Sequence, residues 1–293
     1  MKSAPLLVCA LCLASAATAP SRPGMEEIAV PSGGAQINGF ILHATVPGPH
    51  GVAVILHGFP GNEHSADLAR AVQRAGFDAL FVDYRGSWES AGTFSFTHAL
   101  DDTAAVLAWV RTPENAAKYG FDGARVAVIG HSFGGWLALM TASREPSSVC
   151  VVALAAWNVG WAAQRFAAHD DERVASLDDF RASTDAGGGP IHANADDLQR
   201  EITENAEAWN YLGQARALEN RPVLLVAATR DSPDEDVEMH ERLAHAVREA
   251  GGQRVHIATF EDDHPFSSHR AALDELLSAW LRADCAGNPR PGR

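Results

Sequence analysis

From Gly51 onward, short apolar runs alternate with stretches of helical period, a rhythm that few architectures accept. The runs are Val52 to Leu56, Ala79 to Val82, Arg125 to Ile129, Val149 to Leu154, Val223 to Ala228 and Val255 to Phe260. They are apolar at successive positions rather than at alternate ones, the pattern of strands buried on both faces. Such strands belong to a mostly parallel sheet covered by helices, so the fold class is α/β. The last helix is the clearest: Leu273, Leu276, Leu277, Trp280 and Leu281 follow an i, i+3, i+4, i+7, i+8 spacing, a stripe suited to packing on the sheet. Ahead of the rhythm, Glu26 to Val30 and Gln36 to Val46 flank Pro31-Ser32-Gly33-Gly34, which predicts an antiparallel hairpin.

One interval breaks the pattern. Between the run ending near Ala156 and the one beginning near Arg221 lie about 60 residues with helical stretches, acidic clusters and the loop Gly187-Gly188-Gly189-Pro190, too long for a simple crossover. Residues 157–218 are read as a helical cap inserted into one domain spanning 20–293, with a disordered tail over 287–293. A chain of 293 residues with 46% hydrophobic side chains and 7 Trp can bury a sizeable core without metals or disulfides.

The N-terminus has its own character. Lys2 precedes an apolar run from Leu6 to Leu13 and then Ala14, Ala16, Ala17 and Ala19, which reads as a signal peptide over residues 1–19 and predicts a secreted or periplasmic protein. Lys2 is the only positive charge before the run, so a frayed cytoplasmic N-terminus is the alternative. That run falls far short of the ~20 residues of a spanning helix, and no later stretch is long enough. Of the 4 Cys, Cys9 and Cys12 fall in the signal, leaving Cys150 in an apolar strand and Cys285 after the last helix. Two unpaired thiols are expected. A net charge of −14 with no run of Lys or Arg argues against a nucleic-acid partner.

The chemistry concentrates in Gly130-His131-Ser132-Phe133-Gly134, placed directly after an apolar strand and before a helix-forming run. This is G-x-S-x-G in its strand-turn-helix setting. The glycines relieve crowding around a sharp turn that exposes the Ser132 hydroxyl. A serine hydroxyl is a weak nucleophile, so it needs a base, and the base needs a third group to hold one tautomer. His264, in Glu261-Asp262-Asp263-His264-Pro265-Phe266 after the last strand, is the candidate base; His269 is the competitor, read as a solvated residue of the final helix. Asp231, at the end of the strand Val223 to Ala228, is the candidate acid. Asp234 and Asp236 are rivals, placed where a helix begins and where capping and the helix dipole explain acidic residues. The oxyanion formed on attack needs two N–H donors. The expected donors are the backbone N–H groups of Phe133 and of Phe59 in His57-Gly58-Phe59-Pro60-Gly61; Pro60 has none to give. No H-E-x-x-H or comparable spacing calls for a metal, and no cofactor is implied.

With the His57-Gly58 turn, Asp83-Tyr84-Arg85-Gly86 followed by Ser87 and Glu89-Ser90, the Ser132 turn, Thr229-Arg230-Asp231 and Asp263-His264, the chain resembles an α/β-hydrolase, nearest the prolyl oligopeptidases and their small esterase relatives. The resemblance implies an eight-stranded, mostly parallel sheet and catalytic roles for Ser132, Asp231 and His264. The chain is too short for the large propeller domain of the oligopeptidases, and Ala228 stands where the family usually has Gly. The leading reading is a serine hydrolase that cleaves a carboxylic ester of small or medium acyl size. The alternatives are a peptidase, for which Asp170, Asp171 and Glu172 are candidate anchors of a peptide amino terminus, and a non-catalytic binding protein on the hydrolase fold. Trp157, Trp161, Phe166, Trp209 and Tyr211 are candidates to line an acyl pocket.

Overall fold

The computed structural model describes residues 24–61, 65, 67–147, 149–231 and 236–285. The expected signal over 1–19, the tail over 287–293 and Asp234 lie outside the described residues.

The chain begins with the hairpin β1 (Met25–Ser32) and β2 (Ala35–Leu42), closed by Gly33 and Gly34 at φ +54° and +81°. A two-residue loop with both positions left-handed matches the twist of the strands it joins. Next come β3 (His50–Leu56), α1 (Leu68–Arg74), β4 (Phe77–Val82), α2 (Phe96–Val110), α3 (Pro113–Tyr119) and β5 (Phe121–His131). They are followed by α4 (Phe133–Arg144) and β6 (Cys150–Leu154). Four α-helices then precede the next strand: α5 (Val159–Ala168), α6 (Asp170–Ser183), α7 (Ala195–Glu204) and α8 (Ala215–Leu218). The chain closes with β7 (Val223–Ala228), α9 (Asp236–Glu249), β8 (Val255–Phe260) and α10 (Arg270–Trp280).

The strands form one eight-stranded sheet in the order β1-β2-β4-β3-β5-β6-β7-β8. The β1–β2 and β2–β4 pairs are antiparallel and the others parallel. Every residue of β3, β4, β6 and β7 is buried, as their continuous apolar character requires. Successive side chains still point to opposite faces: Val52, Val54 and Leu56 join the layer of α2 and α4, while Ala53 and Ile55 join that of α1 and α10. Because β3, β5, β6, β7 and β8 run parallel, their carboxyl ends share one edge of the sheet, and the loops that leave it meet there.

The expectation of two unpaired thiols is overturned. Cys150 opens β6, Cys285 ends a turn of π-helix after α10, and the two form a disulfide with Cα atoms 5.9 Å apart. The cause is the apolar stripe of the last helix: Leu273, Leu277 and Leu281 pack into the same layer as Cys150, and this carries the chain end over the start of β6. No described helix is long and apolar enough to cross a membrane.

Candidate active site

Ser132 sits between β5 and α4 at φ 56°, ψ −119°, a conformation that L-residues adopt only when their surroundings force it. Those surroundings are backbone. A Cβ on Gly130 would lie 1.9 Å from the Gly134 carbonyl oxygen, and one on Gly134 would lie 2.1 Å from the carbonyl oxygen of Leu56. The Ser132 N–H donates to the Leu154 carbonyl at 2.8 Å, and the Ser132 carbonyl accepts from Gly135 at 2.9 Å and Trp157 at 3.1 Å. β6 and the start of α4 thus hold the turn from two sides.

His264 lies between β8 and α10, and Asp231 follows β7. The structure brings them together: His264 Nδ1–H donates to Asp231 Oδ2 at 2.5 Å. That bond fixes the tautomer in which Nε2 carries the free lone pair. Ser132, Asp231 and His264 line one cavity of about 190 Å³ whose other walls include Ala155, Ala156, Trp157, Trp161 and Met239.

The proposed oxyanion donors come from two elements. Phe133 is the first residue of α4, where a helical N–H has no intrahelical acceptor. Phe59 lies in the turn after β3, and among the described residues its N–H meets no acceptor. That turn is pinned at both ends. The Tyr84 hydroxyl donates to the His57 carbonyl at 2.9 Å beneath a ring contact of 4.2 Å, and the Trp88 indole donates to the Gly61 carbonyl at 2.9 Å.

Several supporting residues escaped the sequence. His131 Nε2–H donates to the His264 carbonyl at 2.8 Å, with the two rings 4.5 Å apart. Burial, helped by the like charge of His264, pushes His131 down to about 4, so it stays neutral beside the base at ordinary pH. Asp262 is fully buried and accepts from Ser268 N–H at 2.9 Å, Asp263 N–H at 3.0 Å and His269 Nδ1–H at 3.0 Å, shaping the loop around His264. Burial acts to raise the Asp262 carboxyl, but these bonds outweigh it and hold it at about 2. His269 is accordingly corrected: it is the N-cap residue of α10, tied to Asp262, rather than a solvated residue within the helix.

Asp236 is corrected too. It opens α9, is buried, and accepts from the Ala228 N–H at 2.6 Å, so it clasps the end of β7 rather than capping its own helix. Burial pushes it up to about 7. Beside it, His240 is fully buried and pushed down to about 3 by that burial. Of the aromatics from the segment after β6, Trp157, Trp161 and Phe166 reach the cavities at Ser132, whereas Trp209 and Tyr211 are buried in the core, where the Trp136 indole donates to the Trp209 carbonyl at 2.8 Å. Among the described residues no group of His, Cys, Asp and Glu could hold a metal ion.

The model of the X-Pro dipeptidyl-peptidase (S15) family matches residues 38–273, a span that includes Phe59, Ser132, Asp231 and His264. The chain belongs to the S15 family. No curated protein matches it by sequence. Among solved structures, an esterase of Pyrococcus furiosus is similar over 89% of this chain and 92% of its own at 14% identity, with a TM-score of 0.67. An esterase of Rhizomucor miehei is similar over 89% and 84% at 21% identity, TM-score 0.64. Est1E of Butyrivibrio proteoclasticus, with ferulic acid bound, is similar over 89% and 100% at 15% identity, TM-score 0.62. This S15 chain therefore has the α/β-hydrolase fold and is a serine hydrolase.

Proposed function

We propose that this S15 chain is an exported carboxylic-ester hydrolase that works through an acyl-enzyme on Ser132. The observation that carries the reading is the convergence of Ser132, His264 and Asp231 on one cavity with apolar walls, with His264 Nδ1–H committed to Asp231. In this mechanism Ser132 Oγ attacks the ester carbonyl carbon while His264 Nε2 takes its proton. The carbonyl oxygen becomes an oxyanion held by the Phe59 and Phe133 N–H groups. The C–O bond to the alcohol breaks as His264 returns the proton to the leaving oxygen. Water then attacks the acyl-enzyme, again deprotonated by His264, and releases the acid and Ser132. Residues 157–218 act as a cap over these groups, supplying Trp157, Trp161 and Phe166.

Peptide cleavage by the same groups is the second reading, favoured by the description of the matched family. It needs an anchor for a peptide amino terminus. Of the three candidates, Glu172 reaches the cleft beside Ser132, and its carboxylate is engaged by Arg165 at 2.9 and 2.5 Å; Asp170 pairs with Arg173 in solvent. A carboxylate already paired is a poor anchor for a second cation, which favours neutral esters. Export is supported by the signal-like first residues together with the disulfide, a bond at home in oxidising compartments. The test is a comparison of p-nitrophenyl esters of graded chain length with aminoacyl and X-Pro p-nitroanilides. The ester reading expects higher kcat/KM on esters. A preference for the anilides that is lost in Glu172→Gln would overturn it.

A further inference from the structure

Ser132 borders two cavities of different size. The first, about 190 Å³, holds His264 and Asp231. The second, about 930 Å³, holds Phe59, Phe166, Phe180 and Pro190 and is bordered by the Arg165–Glu172 pair. Trp157 belongs to both and forms the partition at Ser132. Helix α5 straddles it, giving Trp161 and Ala162 to the small cavity and Arg165 and Phe166 to the large one.

The proton decides which part of an ester goes where. In the tetrahedral intermediate one substituent of the reacting carbon is the serine oxygen, one is the oxyanion, one is the acyl chain and one is the leaving oxygen. The leaving oxygen must receive a proton from His264 before the C–O bond can break, so it lies on the side of the imidazole. His264 borders the small cavity and Phe59, a proposed oxyanion donor, borders the large one. Resting on the ester reading above, we infer that the 190 Å³ cavity is the alcohol site and the 930 Å³ cleft is the acyl site, so that the substrates are esters of a bulky acyl group with a small alcohol.

The sizes set the limits. An apolar cavity of about 150 Å³ accommodates one benzene ring, so the alcohol site accepts a short chain or a single ring and excludes a fused bicycle. The larger cleft falls in the range of about 300–1,000 Å³ that encloses whole small molecules. Its walls at Phe59, Phe166 and Phe180 suit an acyl group carrying an aromatic ring, through the edge-to-face contact that Phe59 and Phe180 already make at 5.5 Å. This extends the expected acyl range beyond the small or medium size read from the sequence.

The experiment uses two ester series on the full chain. One holds the alcohol as methyl and varies the acid through acetate, octanoate and 3-phenylpropanoate. The other holds the acid as butyrate and varies the alcohol through methyl, butyl and naphthylmethyl. The expected result is kcat/KM that is level or rising along the acid series and falls at least about tenfold between butyl and naphthylmethyl. Ala162→Phe, which fills the small cavity, should depress butyl relative to methyl esters about tenfold without changing the order of acids. Ser176→Trp, in the large cleft, should do the reverse, depressing 3-phenylpropanoate relative to acetate and sparing the order of alcohols. As an independent readout, added butanol should divert the acyl-enzyme to butyl ester in the wild type, and less so in Ala162→Phe. Fluorophosphonate labelling of each variant verifies that its Ser132 site is intact. If Ala162→Phe reorders the acids and spares the alcohols, or if each variant moves both series together, the partition is overturned while ester hydrolysis stands. No turnover of any ester and no labelling of wild-type Ser132 would overturn the ester reading and the partition with it.

Discussion

Replacing both members of the Cys150–Cys285 bridge by alanine should cost stability without touching the chemistry. The bridge joins residues 135 apart in sequence. Opening a loop of that length returns about 17 cal/mol/K to the unfolded chain, or about 5 kcal/mol at room temperature. That is comparable with the whole net stability of many domains, roughly 5–15 kcal/mol. Leu273, Leu277 and Leu281 stay apolar and still dock the last helix, so the variant should fold. Cys150 opens β6, at the opposite end of the strand from the Leu154 carbonyl that holds Ser132, so kcat of the folded variant should match the wild type. Urea unfolding followed by tryptophan fluorescence, with and without reductant, reads the loss directly. Reductant should destabilise the wild type and leave the double alanine variant unmoved. A loss under about 1 kcal/mol with an intact bridge would refute the loop-entropy argument.

Asp231→Asn should remain folded yet lower kcat by about 10⁴, because the amide cannot enforce the tautomer set by the 2.5 Å bond; an effect under tenfold, measured with a saturating ester, would remove Asp231 from the mechanism. Gly134→Ala drives a methyl toward the Leu56 carbonyl, a clash that should exceed the usual 1–3 kcal/mol cost of overpacking and abolish fluorophosphonate labelling; soluble, labelled protein would contradict the crowding account. Acidification works in two directions. His131 at about 4 and His240 at about 3 both lie below the ordinary histidine value, so the unfolded chain gains protons that the folded chain refuses and stability falls as pH drops from 6.5 toward 3. Asp236, raised to about 7 from 3.8, takes up its proton first in the folded chain and opposes that loss as pH falls from 7 toward 3.8. Asp236→Asn should therefore lose stability more steeply on acidification than the wild type, and parallel slopes in urea titrations would exclude this role.

The strands were legible because burial on both faces leaves runs such as Val223 to Ala228 without polar interruption. Where a strand carries polar residues the reading stopped short: β5 begins at Phe121, ahead of Asp122 and Gly123, and its pairing there runs through a register shift opposite His50 to Val52. Ser132, Asp231 and His264 could be located because each lies in a loop at a strand's carboxyl end, where chain order and loop position limit the choices. His131 and Asp262 could not. Their work is hydrogen bonding to a backbone carbonyl 133 residues away and to N–H groups within a folded loop, and neither leaves a spacing in the sequence. The disulfide escaped for the same reason, since Cys285 reaches Cys150 only after the last helix has crossed the sheet. The division of space around Trp157 depends on how α5 and α6 sit over Ser132, and no local pattern encodes that.

The central claim is that Ser132 is an activated nucleophile served by His264 and Asp231. It is tested most directly by labelling the wild-type chain with a fluorophosphonate and mapping the adduct by mass spectrometry. The account predicts one adduct, on Ser132, formed more slowly in Asp231→Asn and absent from a folded Ser132→Ala that has lost ester turnover by several orders of magnitude. An adduct on another residue, or a folded Ser132→Ala that keeps full activity, would contradict it.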